Sequence, residues 1–175
     1  MMKRLAIPAL VLVSCSVAAQ EETRAPQTVA SGNGPVMVLP LLETTGPGSM
    51  IAGGVRLEMG VEGGFRVYRA HQDGHTRTVY EPVDSPARRY AYDPAERRFD
   101  AVSSTLRVRL ADYERLGEVA ASVGALGAKH YPALGFALLR LGPRTNPATA
   151  AQTLSDDPMV VKVEVVLEEP IRVPQ

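Results

Sequence analysis

Thr105-Leu106-Arg107-Val108-Arg109-Leu110 and, further along, Val161-Lys162-Val163-Glu164-Val165-Val166-Leu167 carry the clearest pattern in the chain. In both, apolar side chains alternate with charged ones, the period of a half-buried strand. Between them, Asp112 stands as an N-cap before Tyr113, its carboxylate able to accept a free first-turn amide. Leu116, Val119, Ala120 and Val123 recur at helical spacing, and Gly124 ends that helix. Lys129-His130-Tyr131 reads as a second strand, which Pro132 and Gly135 turn into a third, Phe136 to Leu141. Asn146-Pro147 starts a second helix with Ala150, Ala151 and Leu154 on its apolar face, and Asp157-Pro158 stops it. The order β-α-β-β-α-β over residues 104–169 predicts an α+β fold whose C-terminal part is a ferredoxin-like sandwich. One sheet face would lie under two helices. The open face would carry Arg107, Arg109, Arg140, Lys162, Glu164 and Val166. Beyond it, residues 170–175 form an extended tail, Pro170-Ile171-Arg172-Val173-Pro174-Gln175, whose prolines forbid a helix.

Towards the N-terminus, residues 35–103 read as a small antiparallel β unit preceding the sandwich. Val36-Met37-Val38-Leu39 is an apolar run, Val55 to Met59 and Phe65 to Tyr68 alternate, and Asp73-Gly74 signals a hairpin returning through Thr76 to Glu81. Residues 20–34 are polar and rich in turn formers, which predicts a flexible linker. Residues 1–19 read as an export leader: Lys3 and Arg4 precede the apolar run Leu5 to Val13, too short to span a bilayer. Val17-Ala18-Ala19 suits ordinary signal cleavage, whereas Leu12-Val13-Ser14-Cys15 matches a lipidation signal at Cys15. Both remain open. The protein is expected to be exported, periplasmic or secreted, or else an outer-membrane lipoprotein.

The 175 residues are 45% hydrophobic, with 19 basic against 19 acidic side chains. That neutrality argues against nucleic acid as a partner, which needs a concentrated basic face. A membrane would be met only through a lipid at Cys15. Cys15 is the single cysteine, so no disulfide framework or thiolate metal site is expected. No cofactor motif is present. Nor is there a Gly-x-Ser-x-Gly elbow or a His-Glu-x-x-His pair, and the expectation is a protein that is not an enzyme.

Gly135-Phe136-Ala137-Leu138-Leu139-Arg140-Leu141, then Asn146-Pro147, then Leu154-Ser155-Asp156-Asp157-Pro158-Met159-Val160 resembles the second half of a subtilisin/kexin-type propeptide, and the helix Leu116 to Gly124 fits its first half. The resemblance covers roughly residues 105–175. In that family the fourth strand leads into the protease domain; here the sequence stops at Gln175 with no catalytic motifs after it. The chain therefore resembles the stand-alone chaperones of bacterial kexin-like serine proteases. That resemblance implies a chaperone and inhibitor of a cognate subtilisin/kexin-type protease. The open sheet face would dock on the enzyme, and Pro170 to Gln175 would enter its substrate cleft as a product-like strand. The alternative is a periplasmic structural or sensory lipoprotein using its ferredoxin-like unit to bind something else.

Other signals have plainer explanations. His71-Gln72-Asp73-Gly74-His75 holds two imidazoles and a carboxylate, yet Asp73-Gly74 makes an exposed hairpin tip on its own merits, and no metal is expected. Gly46 to Gly54 resembles a phosphate loop only in its glycines. His130 has no evident acid or nucleophile beside it. Arg88-Arg89 and Arg97-Arg98 are dibasic pairs best read as ordinary solvated charge.

Overall fold

The computed structural model describes residues 25–42 and 46–168. Strands hold 53% of the described residues and helices 16%, so the described part is mostly β. Among the described residues, eleven strands fall into two sheets. The larger sheet contains β1 (Gln27–Ser31), β2 (Gly34–Val38), β7 (Tyr90–Asp93), β8 (Arg98–Leu110), β9 (Gly127–Tyr131), β10 (Phe136–Arg140) and β11 (Val160–Glu168). The smaller is an antiparallel meander of β3 (Gly48–Ala52), β4 (Val55–Glu62), β5 (Phe65–Gln72) and β6 (His75–Pro82).

The larger sheet closes on itself. Its order is β11-β1-β2-β7-β8-β10-β9, and β11 pairs back onto β8, so β1, β2, β7, β8 and β11 complete a five-stranded barrel. Closure relies on one parallel bridge, Ser31 opposite Val165. This overturns the expected ferredoxin-like sandwich preceded by a separate β unit. The elements from β8 onward run β-α-β-β-α-β, but their strands are not a sheet of their own. The physical reason lies in β8: its 13 residues start at Arg98, ahead of the expected boundary at 103/104. Its first half pairs with β7 and its second with β10, while β11 borders both halves. A strand that long supplies more edge than a four-stranded sandwich uses. Residues 27–31, within the segment read as a linker, supply the strand that bridges β2 to β11.

One core fills the barrel and continues under the helices. Val29, Val36, Val38, Ala91, Val102, Leu106 and Val165 belong to the same buried cluster as Val108, Ala137 and Leu139. Onto it pack Val119 and Ala120 of α1 (Leu116–Ser122) and Ala148, Ala150, Ala151 and Leu154 of α2 (Pro147–Ser155). Side chains cap the 3-10 turn that leads into α1 and the start of α2. The Asp112 carboxylate accepts from the Glu114 amide at 2.9 Å, opening a 3-10 turn before α1, and the Asn146 side chain accepts from the Ala148 amide at 2.9 Å.

The run Val36-Met37-Val38-Leu39 is apolar at every position because β2 lies between two cores. Val36 and Val38 point into the barrel, whereas Met37, Leu39 and Leu42 join a second cluster with Tyr92, Val55, Leu57, Met59, Tyr68 and Ala70. The meander therefore packs on the outer wall of the barrel, over β2, β7 and the start of β8. Tyr68 meets Tyr90 at 4.8 Å and Tyr92 meets Phe99 at 5.1 Å between ring centroids. Two devices pin it there. The tip Asp73-Gly74, with both residues at positive φ, places Asp73 3.0 Å from the Arg97 guanidinium. Behind it, Gln72 accepts from the Tyr92 hydroxyl and donates to the Pro94 carbonyl. At the opposite end, Arg66 and Glu81 form a buried pair at 3.3 Å.

Candidate functional site

The outer wall of the large sheet is covered by the meander at one end and bare at the other. On the bare end the odd-numbered positions of β8 alternate away from the core: Leu106, Val108 and Leu110 are buried, while Arg107 is half-buried and Arg109 exposed. Antiparallel pairing extends this face across four strands in rows. Lys129, Leu138, Arg107 and Glu164 stand side by side from β9 to β11. Gly127, Arg140 and Thr105 form the row on one side. On the other, Tyr131 lies opposite Phe136, and Arg109 opposite Lys162. Both helices lie against the opposite, buried side of these strands.

Aromatic and cationic groups interleave on this face. The Phe136 and Tyr131 rings are 5.4 Å apart, the Arg107 guanidinium lies 5.7 Å from the Phe136 centroid, and Lys129 Nζ lies 5.0 Å from the Tyr131 centroid. Among the described residues the one carboxylate on this face is Glu164, 7% exposed at its side chain, which receives Arg107 at 2.7 Å and Lys162 at 2.7 Å. Burial alone would raise its pKa, but the hydrogen bonds from Lys162 and Arg107 outweigh it and hold the carboxyl below its ordinary range. A depressed folded-state pKa adds stability that is complete above the unfolded value and fades as pH falls through the folded one. Glu164→Gln is thus expected to lower the urea midpoint at neutral pH, with the gap to the parent protein closing in acid. Urea titrations across the acid range check it; a gap that does not change with pH removes Glu164 from the acid response.

The expected site residues fall as follows. Arg107, Arg109, Arg140, Lys162 and Glu164 share the bare face. Val166 is half-buried at a register shift between Val165 and Leu167, beyond these rows. The tail Pro170, Ile171, Arg172, Val173, Pro174 and Gln175, and Cys15 with the leader, lie outside the described residues. Lys129, Tyr131, Phe136 and Leu138 were not anticipated. Counting outward in twos from Arg140 would have found Leu138 and Phe136, and the alternation Gly127-Lys129-Tyr131 gives the β9 set.

The remaining candidates are tied into the framework. His71 places Nδ1 2.9 Å from Thr76 Oγ1 and Nε2 3.4 Å from a Glu58 oxygen. Among the described residues no group of three or more His, Cys, Asp or Glu side chains converges to hold a metal ion. His130 stacks on Tyr113 at 3.9 Å between centroids. Gly53-Gly54 is the left-handed turn of the β3–β4 hairpin. The dibasic pairs are less free than ordinary solvated charge. Arg89 is buried and donates to the Leu39 carbonyl, Arg88 reaches Glu168, Arg97 holds Asp73, and Arg98 lies 3.1 Å from Asp100.

No family model, no curated protein and no solved structure matches this chain.

Proposed function

We propose that this exported protein is a binding partner rather than a catalyst: a chaperone and inhibitor of a subtilisin/kexin-type serine protease. Its bare sheet face docks on the enzyme, and residues 170–175 enter the substrate cleft. The observation that carries this reading is the four-stranded face of β8 to β11, uncovered on one side and buttressed by two helices on the other. An aromatic and arginine-rich patch on a rigid sheet has the composition of a protein interface. β11 is the last described element, and residues 170–175 follow it closely in the sequence. The propeptide-like residues Gly135 to Leu141 and Leu154 to Val160 contribute β10 and the start of β11 to that same sheet. A subtilisin-type enzyme folds slowly because its parallel sheet needs many non-local contacts, and a preformed docking surface favours the late, compact transition state. The native enzyme presents the same complementary surface, so assistance and inhibition follow from one interface.

Co-expression with a subtilisin-type protease encoded nearby is the direct test. The yield of active enzyme should rise, and the purified chain should inhibit it; a structural or sensory lipoprotein would do neither. Removal of Ile171 to Gln175 should weaken inhibition at least tenfold, about 1.4 kcal/mol. Equal inhibition constants for the two forms would take the tail out of the mechanism.

A further inference from the structure

We infer that the bare face of β8 to β11 recognises an acidic protein surface, with Leu138, Phe136 and Tyr131 as its apolar block and the arginines as its specificity element. The inference rests on the reading of this face as the docking surface, but not on which enzyme is docked. The charges on the face are lopsided. Arg107, Arg109, Lys129, Arg140 and Lys162 share it with one carboxylate, Glu164, in a chain whose formal net charge is zero. Glu164 is already committed to Arg107 and Lys162.

Arg109 sits directly across the ladder from Lys162. Like charges so placed destabilise a sheet. Among the described residues no carboxylate lies within ion-pair distance of Arg109 or Arg140, whereas Arg56, Arg69, Arg97, Arg98 and Arg115 elsewhere on the surface each have one. Arg77 and Arg144, off this face, have no carboxylate among the described residues either, but only here do several cations gather on one surface, and such a local excess is suited to carboxylates from outside.

Three occupants compete for a cationic face, and its apolar block separates them. A polyanion such as DNA or an anionic membrane surface is met by basic groups along a stripe. Here Leu138, Phe136 and Tyr131 form one apolar block, Leu138 beside Lys129 and Arg107 in the middle row and Phe136 with Tyr131 in the end row, and this mixture of apolar and charged groups is that of a protein interface. A second copy docked face to face would bring the same cations together, since a two-fold contact sets each patch against itself. A protein surface bearing Asp and Glu beside an apolar patch satisfies both the cations and the apolar block. Such complementarity acts chiefly on encounter rate and on partner choice, and it is screened by salt.

The test titrates the full chain, isotope-labelled, with an amphipathic Glu/Leu peptide and with the matching Lys/Leu peptide. The Glu/Leu peptide should shift amides of β8, β9, β10 and β11, at least tenfold more tightly than its basic counterpart, and its affinity should fall steeply with added salt. Arg109→Glu combined with Arg140→Glu should weaken it by tenfold or more. Both side chains are exposed and lack carboxylate partners, and an unchanged melting temperature verifies that the variant is folded. Equal binding of the two peptides, tighter binding of duplex DNA or of phosphatidylglycerol vesicles at the same amides, or dimerisation of the chain through this face would each overturn the inference. Retained peptide binding with no protease inhibition would instead sink the proposed function and leave this inference standing. Protease inhibition that is indifferent to salt and to the two reversals would do the opposite.

Discussion

Arg66→Met is expected to lower the stability of the protein by about 3–5 kcal/mol, the range for removing one member of a buried ion pair. Arg66 and Glu81 are 7% and 5% exposed at their side chains, on neighbouring strands of the meander. Arg66 also donates to the carbonyls of Pro82, Val83 and Ser85, so a single guanidinium satisfies the loop that leads from the meander back to the barrel. Glu81 in turn accepts from the Arg88 amide. Without Arg66, the buried Glu81 carboxylate loses its charged partner and three loop carbonyls lose a donor.

The pH dependence gives this prediction a sign. Burial raises the Glu81 pKa, and the attraction of Arg66 only partly offsets it. A carboxyl raised in the folded state contributes its full stability below the unfolded pKa and loses it as pH rises through the folded one. Deleting Arg66 raises Glu81 further, so the loss caused by Arg66→Met should be largest at neutral pH and shrink in acid. Glu81→Leu added to Arg66→Met should recover part of it, the remainder belonging to the three carbonyls. Urea denaturation of the two single variants and the double variant decides the matter. A single-variant loss under about 1 kcal/mol, with no coupling to Glu81, would show that the pair does not hold the loop.

Local chemistry was legible in the sequence, and long-range closure was not. Asp112 and Asn146 announce their helices because a cap acts on the next few amides, and Asp73-Gly74 announces its hairpin because the turn demands positive φ. The alternation of Leu106, Val108 and Leu110 with Arg107 and Arg109 revealed which side of β8 is dry. What neighbours a strand has is another matter. β1 has only Val29 as a large apolar residue and sits in a polar, turn-rich segment, so composition argued for a linker. Its place comes from ladder bonds to β2 and from one bridge to β11, a contact between residues 31 and 165 that no local window contains. The apolar run Val36 to Leu39 did carry a hint, since a strand without polar positions has both faces covered.

The bare face was half legible for the same reason. Strand alternation placed Arg107 and Arg109 outside, but Lys129 and Tyr131 come alongside only through the register of β9 on β10. The meander hides the rest of the same outer wall, and only the second cluster of Met37, Leu39 and Tyr92 shows where the cover ends. Sequence read one strand at a time gives faces, not the extent of a surface.

Cooperativity follows from the shared strand. β8 lines the barrel with Val102 and Leu106, supports both helices with Leu106 and Val108, and touches the meander through Phe99. Leu106 is fully buried where the barrel and helix layers meet. Leu106→Ala should therefore cost about 2–5 kcal/mol, the range for emptying a tightly packed leucine site. The whole chain should still unfold in one transition, because barrel, helices and meander have no boundary across which β8 can divide. Far-ultraviolet circular dichroism reports all strands, while near-ultraviolet signals from Tyr68, Tyr90 and Tyr92 report the barrel–meander contact. Coincident urea midpoints in the parent and shifted but still coincident midpoints in Leu106→Ala are expected. A fragment starting at residue 104 would lose the first half of β8 together with β7, and the β1 partner of β11, and it should stay unfolded on its own. Independent folding of that fragment, or a near-ultraviolet midpoint unmoved by Leu106→Ala, would mean that the helical half and the meander half are separate units joined by a passive strand.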